Sequence, residues 1–236
     1  MKSKIVFELR YLAKNMVGTL GFLFIVIIFT GVLSQTMVPV TAALSAMLPL
    51  LYFLTLGSSD EINRWQEYQL TLPITRMGMV ISRLVVVVIA TGVSVVIAAA
   101  LCSLLILAAT MLAPSFPAME SLTLESNPID LIWICGLIGS AFALVIIAIS
   151  LPFLAKFGMT RAVRYIPIAF ALLFLLAMVL GNEGGLLSAY ASNLTWWVAT
   201  DEHARVILLA GLVGFVFILN IISLAISISL FKKREF

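Results

Sequence analysis

His203 is the only histidine in the chain, and it stands beside Asp201 and Glu202. One imidazole and two neighbouring acids are too sparse for a metal site, and no metal ligand set is expected. The long apolar stretches hold serines but neither a histidine nor an acid pair. A nucleophile with a base in reach is therefore missing at membrane depth, which argues against an intramembrane enzyme. Cys102 and Cys135 lie inside apolar runs and read as small buried residues rather than a disulfide. No G-x-x-x-x-G-K-[ST] run occurs, so no phosphate-cradling loop is expected. Proton- or sodium-coupled carriers keep Asp, Glu, Lys or His at mid-membrane. These stretches have almost none, so energy for any transport has to come from outside the chain. No catalytic residue and no cofactor is expected here.

What remains is the chemistry of recognition, concentrated in Ser58–Arg76. Ser59 or Asp60 reads as a helix cap, with acids in the first turn. Ile62, Trp65, Tyr68 and Gln69 fall near one face of the helix that follows. Pro73 ends it, and a second start follows at Ile74–Met77. Such a short polar helix with aromatic residues suits contact with another protein. It equally suits a connector at the bilayer surface, with Trp65 and Tyr68 as interfacial anchors. A second segment, Asn182–Ala204, carries Gly184 and Gly185, then Leu186 and Leu187, then Trp196 and Trp197. It reads as short re-entrant helices, with an aromatic belt at the headgroups as the alternative. Asn193-Leu194-Thr195 matches a glycosylation acceptor by accident if the protein is bacterial.

The elements that position these segments are set by composition. Apolar residues make up 63% of 236 and charged residues 11%, about half the charge of a soluble domain. Several apolar stretches are long enough to cross roughly 30 Å of hydrocarbon, and only helices satisfy their backbone there. Six spans are predicted: Met16–Ser34, Val38–Gly57, Leu84–Leu112, Leu131–Ala155, Tyr165–Gly181 and Val206–Phe231. Pro49, Pro152 and Pro167 interrupt or begin three of them, as kinks or helix starts, with a gating hinge as the sharper alternative. Gly211 and Gly214 permit close helix packing, and Asn220 is expected to bond a neighbouring helix.

Every basic residue except Arg205 falls on one side of these spans. The positive-inside rule then places both ends and the loops 58–83 and 156–164 in the cytoplasm. The start, Met1–Asn15, has Ile5, Leu9, Leu12 and Met16 at helical spacing, with Lys2, Lys4, Arg10 and Lys14 off that stripe or at its edges. It reads as an amphipathic helix in the interface with its basic residues toward anionic lipid, or as a basic anchor that sets topology. It lacks the pattern of a cleaved signal peptide. No repeat or linker divides the chain, so 1–236 is one domain.

The run Glu61-Ile-Asn-Arg-Trp-Gln-Glu-Tyr-Gln-Leu-Thr-Leu-Pro-Ile-Thr-Arg76, followed by Val80-Ile-Ser-Arg83, resembles the signature of the small ABC-2 type permease subunits. The tail Ser229–Phe236 is similar to that family's ending, as are the spans and the amphipathic start. The resemblance implies an all-α membrane protein of the type V exporter kind. It implies a dimer with a second copy or a related permease, each subunit paired with a separate cytoplasmic ATPase that holds ATP and Mg2+. Residues 61–76 would form a coupling helix on that ATPase: Trp65, Tyr68 and Leu72 as apolar anchors, Glu61, Arg64 and Glu67 as polar contacts, Pro73 as the elbow. Arg76 would meet an acid or a lipid phosphate. Trp196, Trp197 and the basic residues of the start would be interfacial anchors. The expected location is a bacterial plasma membrane. With few polar groups to line a path, the expected cargo is an amphipathic or hydrophobic peptide, such as a toxin or bacteriocin. The alternative is a peptide-resistance or peptide-sensing component without net export. No nucleic-acid partner is expected.

Overall fold

A computed structural model of the chain describes residues 5–11, 13, 14, 21, 31, 36–62, 76–112, 121–124, 126–158 and 202–232. Among them all extended elements are helices and there is no strand. Helix α1 covers residues 5–11, 13 and 14. It is followed by α2 (Val38–Ile62), α3 (Arg76–Leu112), α4 (Ile129–Phe157) and α5 (Glu202–Lys232). The last four are long and apolar enough to cross a membrane. They correspond to the predicted second, third, fourth and sixth spans. The predicted spans Met16–Ser34 and Tyr165–Gly181 lie outside the described residues, apart from Gly21 and Gly31.

Helices α2 to α5 form a bundle in which α4 touches each of the other three. One cluster of the core joins Met37, Leu44, Leu48, Tyr52 and Leu56 of α2 and its approach to Val86, Ala98, Cys102 and Ile106 of α3. A second joins Phe53, Met79, Val87, Ile147 and Leu151. The other faces are studded with exposed Val, Ile, Leu and Phe, among them Val96, Leu104, Phe142, Phe217 and Ile222. Lipid accepts such faces without cost, so they do not need protein cover. Both cysteines are free thiols.

Several predicted features change in the structure. The second span does not stop at Gly57 before a new cap; α2 runs on to Ile62. Ser58 and Ser59 do not cap, because their hydroxyls donate backwards to the carbonyls of Thr55 and Leu56 at 3.0 and 3.1 Å. The third span belongs to a helix that opens well before Leu84: α3 begins at Arg76, within the second start expected at Ile74–Met77, and is 37 residues long. That is roughly 55 Å at about 1.5 Å per residue, well beyond the hydrocarbon thickness. Among the described residues Gly211 and Gly214 face open space, for a Cβ at either would meet no atom within 4 Å. The close approach lies instead at Gly139 of α4, against the Ala42 carbonyl and Ser45 of α2.

Pro49 and Pro152 sit inside α2 and α4. Each lacks an N–H and so releases the carbonyl four residues back: Ser45 for Pro49, Ala148 for Pro152. Both released carbonyls find a serine on the next helix. Ser94 of α3 lies 3.3 Å from the Ser45 oxygen, and Ser223 of α5 donates to the Ala148 oxygen. The prolines thus convert intrahelical bonds into interhelical ones. Asn220, expected to bond another helix, instead donates to Val216 of its own helix at 2.9 Å; Ser223 makes the crossing. Ser223→Ala should destabilise the bundle by about 1 kcal/mol, but only while Pro152 is present. In a Pro152→Ala background the helix amide returns and the penalty should vanish. A thermal-unfolding double-mutant cycle in detergent reads this, and an equal penalty in both backgrounds rejects it.

Candidate coupling site at the basic end

The end of the bundle where α1, the close of α2 and the opening of α3 meet holds a buried cluster of charge. Glu8 faces inward from α1, Asp60 from the last turn of α2, and Arg83 from the second turn of α3. Their exposures are 3%, 9% and 6%. Arg83 donates from Nη2 to Asp60 Oδ2, and the same nitrogen lies 4.0 Å from Glu8 Oε1. A buried guanidinium costs several kcal/mol of hydration unless paired. Its planar fork suits it to two carboxylates from different directions. This pairing explains how α3 carries a charge on its packed face, one residue before the predicted start of the span at Leu84.

The cluster is seated by apolar contacts. Ile5, Leu9 and Tyr11 of α1 pack against the core, while Val6 and Phe7 are about half exposed. Arg10, Ala13 and Lys14 are exposed. The stripe expected to dip into lipid is thus turned partly onto the protein, with Glu8 on it. Glu8 was missed from sequence, although its place was legible: it lies three residues after Ile5 and four before Leu12. An acid on the apolar stripe of a helix calls for a buried partner. At the end of α4, Lys156 lies over the Phe157 ring at 5.1 Å, and Gly158 closes the helix with φ 77°, its amide bonded to the Leu154 carbonyl at 3.0 Å.

Of the predicted coupling residues, Glu61 falls in the last turn of α2 and Arg76 opens α3. Arg64, Trp65, Glu67, Tyr68, Leu72 and Pro73 lie outside the described residues, as do Lys2, Lys4, Trp196 and Trp197. The loop's two stems are therefore placed by α2 and α3. They converge where Asp60 and Arg83 join.

The opposite end is closed by a different device. Asn127 is fully buried. Its Oδ1 accepts from the Met37 amide at 2.8 Å. Its Nδ2 donates to the carbonyls of Ser121 and Thr123 at 3.0 and 3.3 Å. The same turn inserts Leu122 into the core. Nearby, α5 presents a shallow open groove of about 620 Å³ lined by Val206, Leu209, Ala210, Val213, Gly214 and Phe217. Among the described residues no group of three His, Cys, Asp or Glu side chains could hold a metal.

A bundle of long apolar helices, charged only at its ends and stapled at its basic end by an ion cluster, defines an integral membrane protein. Residues 5–232 match the family described as ABC-2 family transporter proteins, and the chain belongs to that family. Membership makes it a permease of an ABC transporter and implies an ABC ATPase as partner. No curated protein and no solved structure matches the chain.

Proposed function

We propose that the chain is the membrane half of an ATP-driven exporter that moves amphipathic or hydrophobic peptides out of the cytoplasm or its inner leaflet. The observation that carries this reading is the distribution of charge along the four described spans. Residues 38–59, 84–112, 131–155 and 206–231 contain no Asp, Glu, Lys, Arg or His. The buried polar groups between them are hydroxyls and Asn220, and most hydroxyls bond a carbonyl of their own helix, as Thr91 does to Val87 at 2.8 Å. Walls of this kind offer nothing to coordinate an ion or a sugar but accommodate apolar side chains. They also hold no group to couple movement to an ion gradient, so the energy comes from a separate nucleotide-binding subunit that holds ATP and Mg2+. Two further spans over Met16–Ser34 and Tyr165–Gly181 complete six, both termini lie in the cytoplasm of a bacterium, and the permease acts as a homo- or heterodimer. Segment 61–76 docks on the ATPase through Trp65, Tyr68 and Leu72, with Glu61, Arg64, Glu67 and Arg76 around them and Pro73 at the bend.

The test is reconstitution of the chain with its ATPase in proteoliposomes. Amphipathic peptides should stimulate hydrolysis and accumulate in inside-out vesicles. Trp65→Ala with Tyr68→Ala should abolish both effects or co-purification of the ATPase. Stimulation by a hydrophilic solute alone would overturn the assigned cargo. Stimulation without accumulation would favour a resistance or sensing role. Full transport by the double variant would remove the segment from the contact.

A further inference from the structure

We propose that Glu8, Asp60 and Arg83 are positioning residues that lock α1 and the two stems of the 63–75 segment into one rigid body. A push on that segment then reaches the bundle as a movement of all three helices together. This rests on the proposed ATPase-driven function, and it assigns the joint, not the contact.

Three observations carry it. The segment leaves α2 after Ile62 and returns at Arg76, so Asp60 and Arg83 bracket it from either side. Without a tie at its base, a push on the segment would be absorbed by splaying its stems. The Arg83–Asp60 hydrogen bond is that tie. Second, Glu8 reaches the same guanidinium nitrogen at 4.0 Å, which brings in α1. The apolar contacts of Ile5, Leu9 and Tyr11 allow α1 to slide or roll, whereas drawing the buried Glu8 carboxylate away from the guanidinium leaves both charges less compensated. Third, the cluster is a poor choice for stability alone. Apolar side chains of the same volume would serve as well or better than a buried ion cluster, whereas a buried charge contact specifies one arrangement and penalises all others. Directional stiffness is what a joint requires.

The experiment measures stiffness directly. In a background with Cys102→Ala and Cys135→Ala, spin labels are placed at Phe7→Cys on α1 and Met77→Cys on α3, both about half exposed. A control pair sits at Met47→Cys on α2 and Phe142→Cys on α4, also exposed. The protein is studied in lipid nanodiscs by double electron–electron resonance. With the cluster intact, the 7–77 distance distribution should be narrow. Arg83→Gln should broaden it and leave the 47–142 distribution unchanged. Glu8→Gln, which keeps the Arg83–Asp60 bond, should broaden 7–77 alone and serves if Arg83→Gln does not fold. Arg83→Lys, a point charge in place of a fork, should restore part of the narrowing. In the complex with the ATPase, peptide stimulation relative to basal hydrolysis should be lost in Glu8→Gln.

An unchanged 7–77 distribution in both variants overturns the joint. So does a broadened distribution with full peptide stimulation, because the stroke then passes elsewhere. Failure of the wild-type chain to bind any ATPase overturns the functional reading instead, and the distance measurement on the permease alone tells the two apart.

Discussion

Gly139→Ala should cost the bundle about 3 kcal/mol and leave little folded protein, whereas Gly136→Ala, one turn away on the same helix, should be tolerated. A Cβ at Gly139 would overlap the Ala42 backbone carbonyl and approach Ser45 Oγ to 2.5 Å. Neither neighbour can give way cheaply. Ala42 is backbone in the middle of α2, and Ser45 already donates to the Ala42 oxygen at 3.0 Å. Relief requires that α2 and α4 part. At Gly136 the added carbon would lie 3.6 and 3.7 Å from the Thr41 and Val95 side chains, which is ordinary packing. Helix association in lipid depends on such close fit, because burying apolar surface gains nothing over lipid contact. Fluorescence-detected size-exclusion after a heat step compares the two variants. Equal survival would show that α2 and α4 are not in close contact there.

Asn127→Ala should lower stability by a similar amount, about 3 kcal/mol. The amide side chain meets one donor and two acceptors of the backbone from a fully buried position. Its loss leaves the Met37 amide and the Ser121 carbonyl without that partner, where water does not easily reach. Asn127→Asp should not rescue it. The carboxylate still accepts from Met37, but its other oxygen then faces the two carbonyls that the amide used to satisfy. Both variants can be ranked by thermal unfolding in one detergent, and wild-type behaviour of the Asp variant would show that the bonds donated by the side-chain amide to Ser121 and Thr123 do not contribute; the Thr123 carbonyl also accepts from the backbone amides of Ser126 and Asn127 at 3.2 and 3.1 Å.

The four described spans were the most legible part of the sequence, because a long uncharged stretch leaves the backbone no alternative to a helix. The predicted starts and stops of α4 and α5 fall within a turn or so of the observed ones. Some errors turned on a partner distant in sequence, others on hydroxyl and amide groups that bond their own helix. Ser59 and Asp60 looked like a cap because small polar residues favour one locally, yet Asp60 is held by Arg83, 23 residues away. Arg83 looked like one of the basic residues of the cytoplasmic loop, one position before the predicted span, yet it lies on the packed face of α3. Glu8 went unremarked among the basic residues around it. Gly211 and Gly214 have the spacing that permits close packing, but among the described residues it is Gly139 that a neighbouring helix approaches closely. Spacing reports what a helix face could admit; only the neighbouring helix decides whether anything is admitted. Asn127 gave no pattern to read, because its role lies in three backbone groups of two separate segments.

The two proline-released carbonyls also differ in how firmly they are held. The Ser94 hydroxyl is within reach of two acceptors, Thr91 of its own helix at 2.7 Å and Ser45 across the interface at 3.3 Å. It can fall back on its own helix whenever α2 shears past α3, so that slip exchanges one weak bond for a better one. Ser223 bonds the Ala148 carbonyl alone, and sliding α5 along α4 breaks that bond outright. The bundle therefore has a slippery seam and a sticky one. The Ser94 contact lets the middles of α2 and α3 adjust against each other while the Asp60–Arg83 tie holds their loop ends together, and α4 and α5 stay paired.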